Sequence, residues 1–277
     1  MKKIIFTILI FAVCYQLFFN DSNSLQQGEI FNNKPTLEQE IHVEANQYSA
    51  GNLILINKET KLQADPTNLS AIPADLSNNV RVDSEYLVHH ELIEQLKKMF
   101  SAAAADGINH FIINSAYRSG ALQQQLYDEN GSAYALPSGY SEHQTGLAID
   151  IGSTQGTMDK VKEGKWLANN AADFGFILRY PENKIDVTGI AFEPWHFRYV
   201  GIPHSLIMEK EGLVLEEYLD TLREEKELTI KVDGEKYFIQ FMDNQDLILN
   251  SVKIPDTAKF TVSGDNLGGL IITSLID

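Results

Sequence analysis

Two short patches of the chain carry residue types that bind metals and transfer protons. His143 and Asp150 lie in the first patch, and Glu193 and His196 lie in the second. Two histidines and a carboxylate can hold a catalytic zinc, which keeps a fourth position for water and lowers the pKa of that water to about 7. Glu193 precedes His196 by three residues. Its carboxylate could take the proton of the water and pass it to a leaving amine.

The elements that must position these residues are predicted to be strands and loops. Leu147–Ile151 is short, apolar and flanked by glycines, which is typical of a buried strand. A proline follows Glu193 and favours an extended conformation there, and Phe197–Val200 alternates like a strand. Because side chains alternate along a strand, His143 and Asp150 would point to opposite faces of a single strand. Both can reach one metal if His143 lies in the preceding loop.

The two patches resemble a known enzyme family. Ser-x-His-x-x-Gly-x-Ala-x-Asp over residues 141–150, followed by Glu-x-Trp-His over residues 193–196, is similar to the zinc D,D-carboxypeptidases and dipeptidases of bacterial cell-wall metabolism. The match is close to the VanY type of glycopeptide-resistance clusters (peptidase family M15B). It covers nearly the whole chain, with further matching segments at 115–119, 134–137, 175–181 and 215–218.

The resemblance implies a reaction and a ligand set. One zinc ion per chain is held by His143, Asp150 and His196, and Glu193 is the catalytic base. The substrate is a peptidoglycan precursor pentapeptide that ends in D-Ala-D-Ala, from which the last D-Ala is removed. In the family this reaction trims the target of glycopeptide antibiotics such as vancomycin. It uses no serine nucleophile and is therefore insensitive to penicillin.

Three further residues are candidates for substrate contacts. Arg118 ends a predicted strand, and a guanidinium can bind a peptide carboxylate or stabilise developing negative charge. The resemblance assigns substrate and transition-state binding to this arginine. Gln123 resembles a substrate-contacting glutamine of the family, although a polar helix face also explains it. Ser141 could donate a hydrogen bond to substrate or cap its loop.

Two alternatives to the carboxypeptidase remain open. The first is a D-Ala-D-Ala dipeptidase or wall endopeptidase with the same zinc site. The second is a non-catalytic wall-binding module that uses zinc structurally. A closed structural site needs a fourth protein ligand. The sequence offers no obvious one near the motifs, and a structural site would have no need of Glu193.

The charge of the chain argues against nucleic acid as a partner. The 277 residues include 22 basic and 38 acidic side chains, which gives a net charge of −16. Nucleic-acid phosphates attract basic patches, and so do anionic surfaces. A small anionic peptide therefore has to be captured by a local positive group. No oligomeric state is predicted.

The N-terminal segment predicts a membrane location. Lys2 and Lys3 precede an apolar run over residues 4–19, interrupted by Gln16. The run is slightly shorter than the roughly 20 residues of a spanning helix, and the lysines favour a cytoplasmic N-terminus. An uncleaved single-pass anchor and a cleaved signal peptide are both compatible with it. The lack of a clear small-x-small cleavage site favours the anchor, with the catalytic domain outside the cell membrane; cleavage would make the protein secreted.

The predicted fold class is α+β. We expect an antiparallel sheet with flanking helices around a zinc cleft, together with a small C-terminal β module. A first strand is expected over residues 51–57, one helix from Ser84 to Gly107 and another from His204 to about Glu225. The predicted divisions are an anchor or signal peptide over 1–20, a flexible stalk over 21–50, the zinc D,D-carboxypeptidase domain over 51–225 and the β module over 226–277.

Overall fold

The structure is a computed structural model that describes residues 29–30, 34–132, 134–232, 234–244, 251–256 and 259–276. The predicted anchor or signal peptide over residues 1–20 lies outside these ranges. Among the described residues, none of the helices combines the length and the apolar character needed to span a bilayer.

The described residues form strands and helices in a mixed order, as the sequence predicts for this fold class. The strands are β1 (Glu29–Ile30), β2 (Leu37–His42), β3 (Leu69–Ala71), β4 (Val80–Arg81), β5 (Leu87–His89), β6 (Phe111–Ser115), β7 (Ala148–Ser153), β8 (Phe176–Leu178), β9 (His196–Tyr199), β10 (Glu227–Val232), β11 (Glu235–Asp243), β12 (Ser251–Pro255), β13 (Phe260–Gly264) and β14 (Gly269–Ile276). The α-helices are α1 (Glu91–Ala105), α2 (Gly120–Asn130), α3 (Lys162–Asn170), α4 (Ile185–Thr188), α5 (His204–Glu211) and α6 (Leu215–Glu225). Short 3₁₀ helices cover Ala45–Ser49, Glu142–Thr145, Ala171–Phe174 and Glu182–Lys184.

The first sheet carries the two motif patches. Its strands lie in the order β4-β6-β7-β9-β8, and only the β4–β6 pair is parallel. Helix α1 packs its apolar stripe against the sheet, as the spacing of its apolar residues predicts. That stripe is fully buried and consists of Leu92, Leu96, Met99 and Phe100. The central strand β7 is buried along almost its whole length, which agrees with its nearly uninterrupted apolar sequence.

A second, antiparallel sheet forms the C-terminal part of the protein. Its strands lie in the order β1-β10-β11-β14-β13, and β2 and β12 form a separate ladder beside it. Helices α5 and α6 pack between the two sheets. Their buried residues share one apolar cluster with Ile230, Ile239, Phe241 and Ile271 of the second sheet. The β module is therefore joined to the zinc domain by a continuous core.

The prediction of a flexible stalk over residues 21–50 is wrong for the described part of that range. Strand β2 pairs with β12 along five residue pairs, and β1 pairs with β10. Val43 is buried in an apolar cluster with Val252 and Ile254. The segment is polar, so its sequence did not indicate a strand. In the structure β2 exposes every second side chain, as a strand at a surface does. Residues before 51 therefore complete the β module, whose predicted range began at 226.

Three of the predicted elements differ from the structure. Residues 51–57 form no strand: residues 51–53 lie in a turn, and the amides of Leu53 and Leu55 donate to the Ser263 hydroxyl and the Asp265 carbonyl. The first helix begins at Glu91, since Leu87–His89 pairs with β3. The last helix is broken at Gly212, whose φ of +62° ends α5 in a left-handed turn.

Candidate active site

Three side chains with metal-binding donors meet where β7 and β9 run side by side. Asp150 lies in β7 directly opposite His196, the first residue of β9. His143 lies in the 3₁₀ turn before β7, as the spacing requires, and Gly146 ends that turn with a φ of +72°. The three side chains are buried, and one donor atom from each lies within 4.8 Å of the others.

The hydrogen bonds of the two imidazoles leave one nitrogen of each ring available. His143 Nδ1 lies 2.7 Å from the Ala116 carbonyl, to which it donates, so its Nε2 carries a lone pair. His196 Nε2 lies 3.4 Å from a carboxylate oxygen of Glu142, so its Nδ1 is the free nitrogen. These free nitrogens lie 3.3 Å and 3.2 Å from the two carboxylate oxygens of Asp150. Both rings therefore direct their remaining nitrogen towards the same carboxylate.

The donor set fits a zinc ion. Asp150 Oδ1 is buried and has no hydrogen-bonding partner among the described residues. Two donor atoms bound to a tetrahedral zinc at about 2.0–2.1 Å lie roughly 3.3 Å apart, which is close to the separations of Asp150 from the two rings. Two imidazoles and a carboxylate are also the ligand types of catalytic zinc sites. A cation between these atoms would satisfy the orphaned oxygen and both lone pairs.

Burial and neighbouring charges shift the pKa values of the ligand side chains in ways that favour a cation. Burial lowers the pKa of His143 and keeps its ring neutral. Burial also lowers the pKa of His196, but the neighbouring carboxylates of Asp150 and Glu142 outweigh it and raise that pKa to about 9. Burial raises the pKa of Asp150, but the two histidines outweigh it and hold that pKa well below its usual range. A proton therefore occupies the site without metal, and metal binding displaces it.

Glu193 lies at the open side of this cluster. Its Oε2 is 3.6 Å from His196 Nδ1, and its backbone N–H donates to the Tyr180 carbonyl. The side chain is 29% exposed, so the carboxylate reaches both the metal ligands and the cleft. Burial raises the pKa of Glu193 above its ordinary value. A carboxylate of raised basicity beside the metal ligands can accept and return a proton.

Arg118 borders the cluster at Asp150. Its NH2 group lies 3.2 Å from Asp150 Oδ2, and its Nε donates to the Ser115 hydroxyl at 3.0 Å. Its backbone N–H donates to the carbonyl of His143. The guanidinium is thus a fixed positive group beside the metal ligands and is partly accessible from the cleft. It can pair with a substrate carboxylate or with an oxyanion.

The structure buries both Gln123 and Ser141, the two remaining candidates for substrate contacts. Gln123 is buried; its Nε2 donates to the Leu136 carbonyl at 2.7 Å, and its Oε1 lies 3.5 Å from Arg118 NH1. It therefore ties a loop to Arg118. Ser141 is buried at the start of the 3₁₀ turn, and its hydroxyl makes no capping bond to that turn.

A buried ion network behind His196 was not predicted from the sequence. Glu142 binds Arg179 at 2.8 Å and Arg198 at 2.6 Å, and Arg179 continues to Glu216. One signal was available in the sequence. Arg198 stands in β9 and Arg179 directly follows the apolar strand β8, and an arginine is rarely buried at such positions without a partner.

Comparison with known proteins supports one family. The VanY family model, described as D-alanyl-D-alanine carboxypeptidase, matches residues 85–202. A D-alanyl-D-alanine carboxypeptidase of Enterococcus faecium is 39% identical over 294 residues, which cover 99% of this chain and 96% of the relative. This chain belongs to the VanY family. The VanY family match includes all the candidate ligands together with Glu193 and Arg118.

Solved structures of VanY relatives have the same fold. The vancomycin-resistance D,D-dipeptidase VanXYg, in complex with a D-Ala-D-Ala phosphinate analogue, superposes with a TM-score of 0.74 at 30% identity; the match covers 86% of this chain and 99% of VanXYg. VanYB in complex with D-alanine-D-alanine gives a TM-score of 0.53 at 34% identity, covering 61% of this chain and 98% of VanYB. This VanY-family chain is therefore a carboxypeptidase-type hydrolase with a zinc-binding donor set.

Proposed function

We propose that this chain is a zinc-dependent D,D-carboxypeptidase that removes the C-terminal D-Ala from peptidoglycan precursors ending in D-Ala-D-Ala. One observation carries the proposal: a buried His-Asp-His cluster has a semi-exposed carboxylate 3.6 Å from one ligand ring and a guanidinium 3.2 Å from the ligand carboxylate. This arrangement places a metal-binding site, a base and a positive group next to one another. The substrate is inferred from the activity for which the family and the relatives are named.

Each residue of the cluster has a distinct part in the reaction. His143, Asp150 and His196 hold the zinc, which polarises the scissile carbonyl and makes a water nucleophilic at neutral pH. Glu193 takes the proton of the attacking water and returns it to the nitrogen of the departing D-Ala. Burial favours this exchange, because the raised pKa of Glu193 brings it closer to the pH at which the enzyme works.

Arg118 supplies the local positive charge that an acidic protein needs to capture an anionic peptide. The net charge of −16 repels the substrate carboxylate at long range. The Arg118 guanidinium is fixed by Ser115 and Asp150 while keeping part of its surface open to the cleft. It binds the terminal carboxylate or the developing oxyanion, for which a fixed donor needs no reorganisation.

The decisive experiment is mass spectrometry of a muramyl pentapeptide incubated with the protein. Three samples are compared: zinc-loaded protein, protein with a chelator, and the zinc-loaded Glu193→Gln variant. We expect loss of a single alanine only in the first sample. Equal cleavage by Glu193→Gln would remove Glu193 from the mechanism, and no cleavage by a folded, zinc-loaded protein would reject the carboxypeptidase.

A second candidate activity is hydrolysis of the free dipeptide D-Ala-D-Ala. It is favoured by the extent of the match to the D,D-dipeptidase VanXYg, which covers 86% of this chain against 61% for VanYB. The two activities are separated by supplying the dipeptide and the pentapeptide in parallel at equal concentration. Release of free alanine from the dipeptide at a comparable kcat/KM would make the enzyme bifunctional.

The proposed activity contributes to glycopeptide resistance, because trimmed precursors lack the terminal D-Ala-D-Ala to which these antibiotics bind. We place the catalytic domain outside the cell membrane, where such precursors are exposed. The apolar run over residues 4–19 behind two lysines supports an N-terminal anchor. Cell fractionation, with mass spectrometry of the N-terminal peptide, tests this placement. Protein found only in the cytosolic fraction would contradict it.

A further inference from the structure

A buried chain of ion pairs ends on one of the proposed zinc ligands. Glu142 Oε1 accepts hydrogen bonds from Arg179 Nε at 2.8 Å and Arg198 NH1 at 2.6 Å. Its other oxygen, Oε2, lies 3.4 Å from His196 Nε2. Arg179 extends the chain outward through two bonds of 2.8 Å to the carboxylate of Glu216. Helix α6 is thereby connected to the metal cluster through three charged side chains.

Stability alone is a poor explanation for this network. The side chains of Glu142, Arg179 and Arg198 have 0% exposure, so all three charges have been removed from water. The desolvation cost of such groups offsets most of their mutual attraction, and well-packed apolar side chains often replace them without loss of stability. What the network does provide is a carboxylate oxygen held at one defined place beside His196.

We propose that Glu142 is a positioning residue for the metal-binding imidazole of His196. Glu142 accepts the Nε2 proton, which keeps the Nδ1 lone pair on the side of Asp150 and sets the angle of the ring. Histidines that bind metals commonly donate their second N–H to a carboxylate in this way. The inference rests on the proposed zinc site and adds a residue that holds one ligand in its binding orientation.

The positions of Glu142 and Arg198 in the sequence support this assignment. Glu142 and His143 are adjacent in one 3₁₀ turn, so a single turn supplies one ligand and the support for another. Arg198, two residues after His196, also donates to the Asn52 and Ile54 carbonyls, which fixes it to the neighbouring loop. The two arginines therefore hold the Glu142 carboxylate in place, so it does not follow the imidazole if the ring rotates.

The outer end of the network lies beyond the region matched by the family model, residues 85–202. Glu216 binds Arg179 with both carboxylate oxygens and also lies 3.3 Å from the Asn57 amide. Two arginines and two glutamates make the buried group neutral overall. Removing the charge of Glu216 leaves Arg179 with a single carboxylate to share, so the effect should reach the metal through Glu142.

Zinc affinity tests the proposal independently of catalysis. Glu142→Gln removes the charge, and Glu142→Asp keeps a charge for the arginines but shortens the reach towards His196. We expect the zinc dissociation constant, measured by competition with a chromophoric chelator, to rise about 10–100-fold in each variant. The visible spectrum of the cobalt-substituted protein should change as well, because it reports ligand geometry. Glu216→Gln should give a smaller rise.

A matched control lies on the same helix. Glu217→Gln removes a carboxylate that pairs with Lys184 and does not touch the network. It should leave zinc affinity and the cobalt spectrum unchanged. The melting temperature of each metal-free variant reports whether the fold is retained. Folded Glu142 variants with the zinc affinity and cobalt spectrum of the wild-type protein would overturn the proposal.

The wild-type protein offers a test that does not depend on a variant that folds. In the zinc-loaded protein, ¹⁵N NMR of the histidine rings should show His196 protonated at Nε2 with slow solvent exchange, and His143 protonated at Nδ1. Zinc on Nε2 of His196 would refute the role of Glu142. Zinc binding with these tautomers but without peptide cleavage would support the positioning role and reject the proposed activity, so the two failures are distinguishable.

Discussion

At the scale of single residues, the site separates the groups that hold the metal from the groups that act on the substrate. The rings of His143 and His196 are buried and each makes a hydrogen bond through the nitrogen that faces away from Asp150. Glu193 and Arg118 are partly exposed, and each lies beside one ligand, Glu193 beside His196 and Arg118 beside Asp150. Substitution of these two residues should therefore affect turnover more than metal binding.

Replacing Arg118 with lysine tests whether the shape of the guanidinium matters. Arg118 uses Nε for Ser115 and NH2 for Asp150, and a lysine ammonium cannot make both contacts and also bind the substrate. We expect Arg118→Lys to lower kcat by about 10²–10³-fold, the usual effect of losing a fixed donor to an oxyanion, while zinc content stays complete. Steady-state kinetics with metal analysis measures both. Arg81→Lys is the control, because the ion pair of Arg81 within the described part of the chain is with the exposed Asp83.

At the scale of elements, helix α2 holds the loop over residues 136–139, and Gln123 of this helix also lies 3.5 Å from Arg118. Gln123 donates to the Leu136 carbonyl, and Gln124 accepts from the backbone N–H of Ser138. From the opposite side, Gln144 accepts from the N–H of Gly139 at 2.5 Å. Three glutamine side chains thus fix this loop.

Gln123→Ala should loosen the loop and free the Arg118 side chain. The substitution leaves the half-buried Leu136 carbonyl without its Gln123 donor, and the loss of such a hydrogen bond costs about 0.5–1.5 kcal/mol. We expect kcat/KM of the Gln123→Ala variant to fall roughly tenfold, which corresponds to a loss of about 1.4 kcal/mol in transition-state stabilisation. Gln125→Ala removes a comparable but exposed side chain that donates to Glu129, and it should behave as wild type. Equal kinetics for both variants would argue against this loop as part of the site.

At the scale of the whole molecule, the two sheets form a single structural unit. Helices α5 and α6 bury Leu215, Tyr218 and Leu222 in the same cluster as Phe241 and Ile271 of the second sheet. His204 bridges the same boundary, with Tyr218 at 2.7 Å and Thr273 at 3.0 Å. Unfolding of the β module should therefore unfold the zinc domain.

Two phenylalanines of the β module provide a direct measure of this coupling. Both tryptophans of the chain, Trp166 and Trp195, lie in the zinc domain, so their fluorescence reports its unfolding. Phe241 is 3% exposed, and Phe241→Ala should lower the free energy of unfolding, followed by tryptophan fluorescence, by about 3–5 kcal/mol. Phe260→Ala, at a position 37% exposed, should cost about 0.5 kcal/mol or less. An unchanged tryptophan transition in Phe241→Ala would show that the module unfolds on its own.

His204 should make this boundary sensitive to acid. Burial lowers the pKa of His204 to about 3, so the folded protein keeps the ring neutral while the unfolded chain binds a proton below about pH 6.5. The contribution of His204 to the free energy of unfolding is thus fully present above pH 6.5. It falls as the pH decreases towards 3, by up to about 1.4 kcal/mol per pH unit. Urea unfolding of wild type and His204→Gln between pH 4 and 7 tests this. The variant, which keeps polar groups but cannot titrate, should show the smaller pH dependence.

Much of the candidate site follows from local patterns. The ligand types, the loop position of His143 and the strand positions of Asp150 and His196 all come from residues within one motif or its flanks. Gly146 and the apolar run after it specify the turn and the buried strand on which two of the ligands are arranged. These features depend on neighbours in sequence, and composition and spacing are sufficient to indicate them.

The remaining features depend on contacts between distant parts of the chain. Glu142 meets Arg198 across 56 residues, and Leu53 bonds to Ser263 across 210. A polar segment such as residues 37–42 becomes a strand because β12 is available to pair with it, and a glutamate becomes a support for His196 because two arginines fold against it. Local propensity contains no information about such partners, since their energies exist only once the chain is folded.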